Sequence, residues 1–233
     1  MIDLHCHILP GVDDGAKDMD EALAMAEIAV RDGITVMMAT PHVRGEQPLS
    51  PGEIRTRVDQ FNVVLQEKAI SLQVLAGGEV YYQTPVDGFA PHGLAGTRYV
   101  LLEFTHHLLP DNADAIVSAL LLRGLFPIIA HPERNDTIIE NPDRLLSLIK
   151  PGVLAQITAA SLTGDMGDDV RRCAVHLLRL GAVRLIASDS HSATRRTPRL
   201  SEGVKVAAKV VGRVQAQEMV QGTPQRIIHD HTI

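Results

Sequence analysis

Met1-Ile2-Asp3-Leu4-His5-Cys6-His7 begins with a short apolar strand, Ile2–Leu4, that runs directly into two imidazoles one residue apart. The same succession recurs along the chain. Ile34–Thr40, apolar and β-branched, is halted by Pro41 and followed by His42, and Leu72–Leu75 closes on Gly77-Gly78 ahead of Glu79. Tyr99–Phe104 carries Glu103 near its end, His131 follows Phe126–Ala130, and Asp189 and His191 follow Arg184–Ser188. Val153–Thr158 completes seven expected strands. Between them the spacing predicts helices. The first is Asp18–Arg31, with Ala22, Leu23, Ala26, Ala29 and Val30 on one face and Gly33 as its stop. Pro51–Ile70, Asp111–Leu122, Asn141–Ile149 and Asp168–Leu180 follow, and Leu200–Val211 and Arg213–Val220 come last.

Strand followed by helix, seven times over, argues for parallel pairing with right-handed crossovers. The expected fold is α/β: a distorted, seven-stranded (β/α)7 TIM-like barrel. In such a barrel the carboxyl ends of the strands share one face, where active sites collect. Eight polar residues from six strands would then meet in one bowl: His5, His7, His42, Glu79, Glu103, His131, Asp189 and His191. Singly each has an ordinary explanation. A histidine after a strand is usually a hydrogen-bonded cap, Glu103 suits a lysine partner, and Asp189 suits a helix cap. As a set they are the preferred nitrogen and oxygen ligands of divalent metals. A bend or strand end at Cys6 is expected to let both rings of His5-x-His7 point into the bowl.

With 45% hydrophobic residues among 233, the chain can bury one sizeable core, and residues 1–233 read as one domain. The 22 Lys+Arg against 28 Asp+Glu leave a net charge of −6, which disfavours non-specific nucleic-acid binding. Tryptophan is absent and aromatics are only 3%, so base-stacking platforms are not expected. Two distant cysteines, Cys6 and Cys173, suggest no disulfide framework. Neither a secretion leader nor an apolar run long enough for a membrane is visible, so no membrane insertion and a cytoplasmic location are expected.

The residues quoted resemble the polymerase and histidinol phosphatase (PHP) superfamily of metal-dependent phosphoesterases. Longer strings narrow the likeness to bacterial manganese-dependent tyrosine phosphatases of capsule and exopolysaccharide synthesis. These are Met1–His7, Val12-Asp13-Asp14-Gly15, Gly78-Glu79-Val80-Tyr81-Tyr82, Leu102-Glu103-Phe104, Ala130-His131-Pro132-Glu133-Arg134 and Ala187-Ser188-Asp189-Ser190-His191. The match runs nearly end to end. It implies the PHP fold, three divalent ions (manganese, with iron or zinc compatible with the same ligands) and hydrolysis of phosphotyrosine through a metal-activated hydroxide. It also implies a phosphotyrosine-containing protein as partner, the tyrosine-rich tail of a polysaccharide-assembly kinase. The family's phosphate-holding arginines correspond to Arg134 and, by spacing, to Arg196, with neighbouring Arg195 as the alternative. Where the family often has Ser, this chain has Cys6, whose side chain should face away from the metals.

Phosphate monoesters are dianions, and cations together with planar arginine forks offset the charge that repels a hydroxide. Glu79 is a candidate bridging carboxylate. In the Gly-flanked loop at Asp13-Asp14, Asp14 reads as a general acid or as an anchor for a metal histidine, against a plain turn with capping chemistry. Cys173-x5-Arg179 formally fits cysteine-dependent phosphatases, but its residues lie in an amphipathic helix whose amides are bonded internally, and the mechanism is rejected. His106-His107 is placed at the substrate entrance, while His176, His229 and His231 read as structural or solvated; His92 receives no role. Two other functions compete: a small-metabolite phosphatase such as a histidinol phosphatase, and a non-catalytic metal-binding scaffold.

Overall fold

A computed structural model describes residues 1–45 and 48–233. Its strands are β1 (Ile2–Cys6), β2 (Val36–Ala39), β3 (His42–Val43), β4 (Gln73–Ala76), β5 (Glu79–Tyr81), β6 (Tyr99–Glu103), β7 (Phe126–Ala130), β8 (Leu154–Thr158) and β9 (Leu185–Ala187). The helices are α1 (Met19–Asp32), α2 (Pro51–Glu67), α3 (Ala113–Leu122), α4 (Asp136–Glu140), α5 (Asp143–Leu146), α6 (Ala159–Thr163), α7 (Asp168–Arg179), α8 (Ser201–Val211), α9 (Arg213–Glu218) and α10 (Gly222–Ile228). Every pairing is parallel, in the orders β1-β2-β4 and β3-β5-β6-β7-β8-β9.

The nine segments lie on the seven expected lines. Pro41, which has no N–H to donate, separates β2 from β3, and Gly77-Gly78 separates β4 from β5. The interruptions are stitched by Gly77 N–H donating to Ala39 O at 3.0 Å and Glu79 N–H to Pro41 O at 3.1 Å. Closure of the ring comes from Asp189 N–H to His5 O and His7 N–H to Ser190 O, both 2.9 Å. The distortion sits beside β4, where short 3₁₀ turns at Ala90–His92 and Leu94–Gly96 fill the space that a longer partner strand would occupy. A Cβ at Gly77 would come 2.8 Å from Leu94 Cδ2, so a side chain here would have to displace Leu94.

Alternation along the strands sorts the core into two layers. Ile2, Leu4, Tyr99, Leu101, Ile128, Leu154 and Leu185 fill the barrel interior, while Val100, Leu102, Ile129, Ala155, Ile157 and Ile186 face the helices. The helices are placed by local signals. Asp18 accepts from Glu21 N–H to cap α1, and Gly33 ends it at φ 90°. Ser50 and Glu53 form a reciprocal capping box ahead of α2, with Pro51 in its first turn.

Two expectations need correction. The helix expected over Asn141–Ile149 is confined to α5 (Asp143–Leu146), and Pro142, which has no N–H to donate, separates it from the unexpected short helix α4 (Asp136–Glu140). The strand does end at Cys6, as expected, but no such end is needed to align His5 and His7, since residues two apart already share a face of a strand. The pairing of β1 with β2 shifts between Asp3 and Cys6. That shift exchanges the faces, so Leu4 packs in the barrel interior, Cys6 packs with the helix-facing layer, and both imidazoles take the inner side.

Candidate metal centre

All eight residues expected at the strand ends gather in one bowl. Nε2 of His5 lies 3.3 Å from Nε2 of His7, 3.2 Å from Glu79 Oε1 and 3.4 Å from Asp189 Oδ1. Glu79 Oε1 is also 2.9 Å from His131 Nε2, and Glu79 Oε2 is 2.9 Å from His42 Nδ1 and 3.4 Å from His7 Nε2. One carboxylate therefore faces four imidazoles. Glu103 Oε2 approaches His42 Nδ1 at 3.6 Å. Asp14, 58% exposed, reaches His42 Nε2 at 3.3 Å and His191 Nε2 at 3.5 Å, so it stands among the potential ligands. Four overlapping donor groups suit a cation: His7–Asp14–His42–His191, His5–Glu79–His131, His5–His7–Asp189 and His42–Glu79–Glu103.

Two of these residues stand on uncommon backbone. His131 has φ 32° and Asp189 φ 49°, left-handed values that side chains with a Cβ rarely adopt. Both come just after a strand, where the turn redirects the side chain across the mouth of the barrel.

A further layer aims the rings. His5 Nδ1–H donates to Gln156 Oε1 at 2.9 Å, His7 Nδ1–H to Asp13 Oδ2 at 2.7 Å, and His191 Nδ1–H to the carbonyl of Asp189 at 3.0 Å. Each bond leaves the Nε2 lone pair pointing into the bowl. Asp13 accepts as well from the backbone N–H of His42 at 3.1 Å and of Gly15 at 3.0 Å. The anchoring role considered for Asp14 thus falls to its neighbour Asp13.

The electrostatics fit a cation-binding site. Burial opposes protonation of His5, but Glu79 and Asp189 overcome it and push its pKa up to about 9. Burial likewise opposes protonation of His42, and Asp14, Glu103 and Glu79 drive it up to about 12. Burial would raise the carboxyls of Glu79 and Asp189, yet His5 and its neighbours hold both well below the usual carboxylate range. His42 Nδ1, Glu79 Oε2 and Glu103 Oε2 are buried without a hydrogen-bond partner. Buried polar atoms are rarely left so, and a shared cation satisfies all three at once. The donor set fits divalent metals.

Arg134 and Arg196 converge on Asp189 Oδ2, Arg134 at 2.6 Å and Arg196 through Nη2. Both line the bowl, and Arg195 does not. His106 lines it too, edge-on to His131 with ring centroids 5.2 Å apart, whereas His107 is 92% exposed. Arg44, Asp13 and Gln156 were not singled out by sequence as site residues or, for Asp13, given a role. Arg44 lies two residues after His42 and Asp13 within the Val12–Gly15 motif, but Gln156 stands on the strand that carries no ligand and has no sequence signal. Cys6 Sγ faces away, 2.9 Å from Ser190 Oγ, as expected.

Fold and site together define a parallel α/β barrel with a polynuclear metal cradle at the carboxyl ends of its strands. Residues 1–229 match the family described as "Capsular polysaccharide synthesis, CpsB/CapC", and the chain belongs to it. It is 36% identical to the tyrosine-protein phosphatase YwqE of Bacillus subtilis, over 100% of this chain and 93% of that one. It is 30% identical to the tyrosine-protein phosphatase CpsB of Streptococcus pneumoniae over the full length of both. A crystal structure from the work on YwqE and CpsB, metal-dependent tyrosine phosphatases, superposes with a TM-score of 0.95. Identity to it is 36%, with 100% of this chain and 96% of that one covered.

Proposed function

We propose that residues 1–233 act as one metal-dependent protein-tyrosine phosphatase domain that regulates capsular or exopolysaccharide synthesis. The observation that carries the reading is the convergence of imidazoles from three other strand ends on Glu79, whose two oxygens face His5, His7, His42 and His131 within 3.4 Å. Family membership and the YwqE and CpsB likeness supply the reaction class.

Three ions, manganese by resemblance, suit the donor groups. The groups His5–His7–Asp189, His5–Glu79–His131, His42–Glu79–Glu103 and His7–Asp14–His42–His191 would hold them, and Glu79, shared by two of these groups, would serve as the common carboxylate. Bound divalent ions supply an acidified water and neutralise phosphoryl oxygens. The chain's own residues do the rest. Gln156 and Asp13 hold His5 and His7 in the tautomer that presents Nε2. Arg134 and Arg196, already oriented by Asp189, present guanidinium forks to phosphate oxygens. His191 and His42 keep Asp14 ionised, holding its carboxyl well below the usual range, so Asp14 suits a ligand better than a proton donor. A phenol leaves with a pKa of ~10, so departure needs less protonation than an alkyl alcohol would. The substrate is a tyrosine-phosphorylated protein, the tail of a polysaccharide-assembly kinase, met in the cytoplasm. Among the described residues no helix is long and apolar enough to cross a membrane.

Metal content and phosphotyrosine-peptide turnover, measured together, test this. His5→Ala should lose metal and activity, whereas Arg134→Ala should keep metal and lose activity by roughly 10²-fold. Faster turnover of histidinol phosphate than of phosphotyrosine peptide would sink the assignment, as would no turnover of any aryl phosphate by metal-loaded protein.

A further inference from the structure

The bowl itself has a cavity of only about 90 Å³, enough for a phosphoryl group and little more. A phosphotyrosine held there must send its ring and flanking chain elsewhere. An open groove of about 800 Å³ lies alongside, lined by Val43, Arg44, Tyr81, Gln83, Thr84 and Pro85 among others. Arg44 lines both spaces and marks where they join. Each surface suits an extended peptide. The Tyr81 ring, propped by Tyr82 with centroids 4.7 Å apart, and Pro85 offer an apolar wall for a phenyl ring. Gln83 and Thr84 offer side-chain donors and acceptors for a peptide backbone.

Charge then narrows the occupant. Among the described residues lining the groove, Arg44 is the one with a full charge at neutral pH. Its guanidinium is 48% exposed and only loosely tied, with Nη1 3.8 Å from Glu103 Oε1. Arg134 and Arg196, by contrast, are both committed to Asp189 inside the bowl. A cation at the junction, pointing partly to solvent, meets whatever side chain follows the phosphotyrosine out of the site.

We infer that this groove is the substrate-peptide subsite and that Arg44 selects an acidic residue next to the phosphotyrosine. The inference rests on the phosphotyrosine reading and adds sequence preference to it.

The test compares two synthetic phosphotyrosine peptides, one with glutamates flanking the phosphotyrosine and one with alanines, on metal-loaded protein. A half-exposed ion pair supports a preference in kcat/KM of about three- to fivefold for the acidic peptide, shrinking as salt is added. Arg44→Gln should bring the ratio near one, and Arg44→Glu should invert it in favour of a lysine-flanked peptide. Arg44 is on the surface, so neither variant threatens folding. A wild-type ratio near one overturns the inference, as does a ratio that survives Arg44→Gln, while phosphotyrosine hydrolysis itself stands. Absence of turnover on both peptides and on free phosphotyrosine instead removes the phosphatase reading, and the inference with it.

Discussion

Gln156 accepts a hydrogen bond at 2.9 Å from Nδ1 of His5, a partner 151 residues away in sequence. The bond crosses the barrel from β8 to β1 and sets which nitrogen of His5 faces the cations. Without it the ring can rotate and the tautomer is free, so Gln156→Leu should weaken metal binding by roughly 10- to 100-fold while the fold is kept. Metal titration followed by calorimetry, beside far-ultraviolet circular dichroism, reads both. Unchanged affinity would show that the ring needs no such support.

Gly15 packs against the backbone that carries His7. A Cβ there would lie 2.0 Å from the His7 carbonyl oxygen, a distance no small adjustment relieves. Gly15→Ala should therefore push the Asp13-Asp14 loop outward and release the Asp13 bond to His7. The expected result is loss of bound metal, seen by elemental analysis, together with lower thermal stability. Retention of both would mean the loop shifts without cost.

Asp3 gives the metal-free protein a pH dependence of definite sign. Burial, opposed by hydrogen bonds from Ser188 and the His5 N–H, raises its carboxyl from 3.8 to about 6. The native state thus holds this proton more tightly than the unfolded chain. Its stabilising contribution is complete below the unfolded value and is lost as pH rises through the folded one. Between about pH 4.5 and pH 7 wild type should lose roughly 2 kcal/mol relative to Asp3→Asn, measured by urea unfolding. A constant difference across that range would be inconsistent with a neutral buried Asp3.

Cys173 offers the clearest contrast with a cysteine mechanism. Its thiol is buried in α7, near the Ile138 carbonyl at 3.9 Å, and burial, aided by Glu133, pushes its pKa up to about 12. Such a thiol is not a nucleophile at neutral pH. Cys173→Ala should keep phosphotyrosine hydrolysis within about twofold, a surface-like effect for a small, conservative change. A loss of activity with metal intact would revive the thiol.

The barrel was legible because the chain repeats one local pattern, an apolar β-branched run followed by an amphipathic run, and each run announces its own geometry. The eight strand-end residues were legible for the same reason, since their position follows from where each strand stops. Shorter elements were not. Ala159–Thr163 and Gly222–Ile228 are helical through packing, as Gly203 pressing on Ala159 illustrates: a Cβ there would come 2.8 Å from the Ala159 Cα. No five- or seven-residue window carries enough periodicity to reveal that.

By itself the sequence determined which residue types stand at the strand ends, and so that imidazoles and carboxylates would share one face of a parallel barrel. Only the tertiary structure decided which carboxylate each imidazole meets, that Asp13 rather than Asp14 steadies His7, and that Gln156 steadies His5. Side-chain direction within a strand obeys a period of two that any chain can display. The face that period selects, however, depends on register against neighbouring strands, and the shift between Asp3 and Cys6 exists only once β1 pairs with β2.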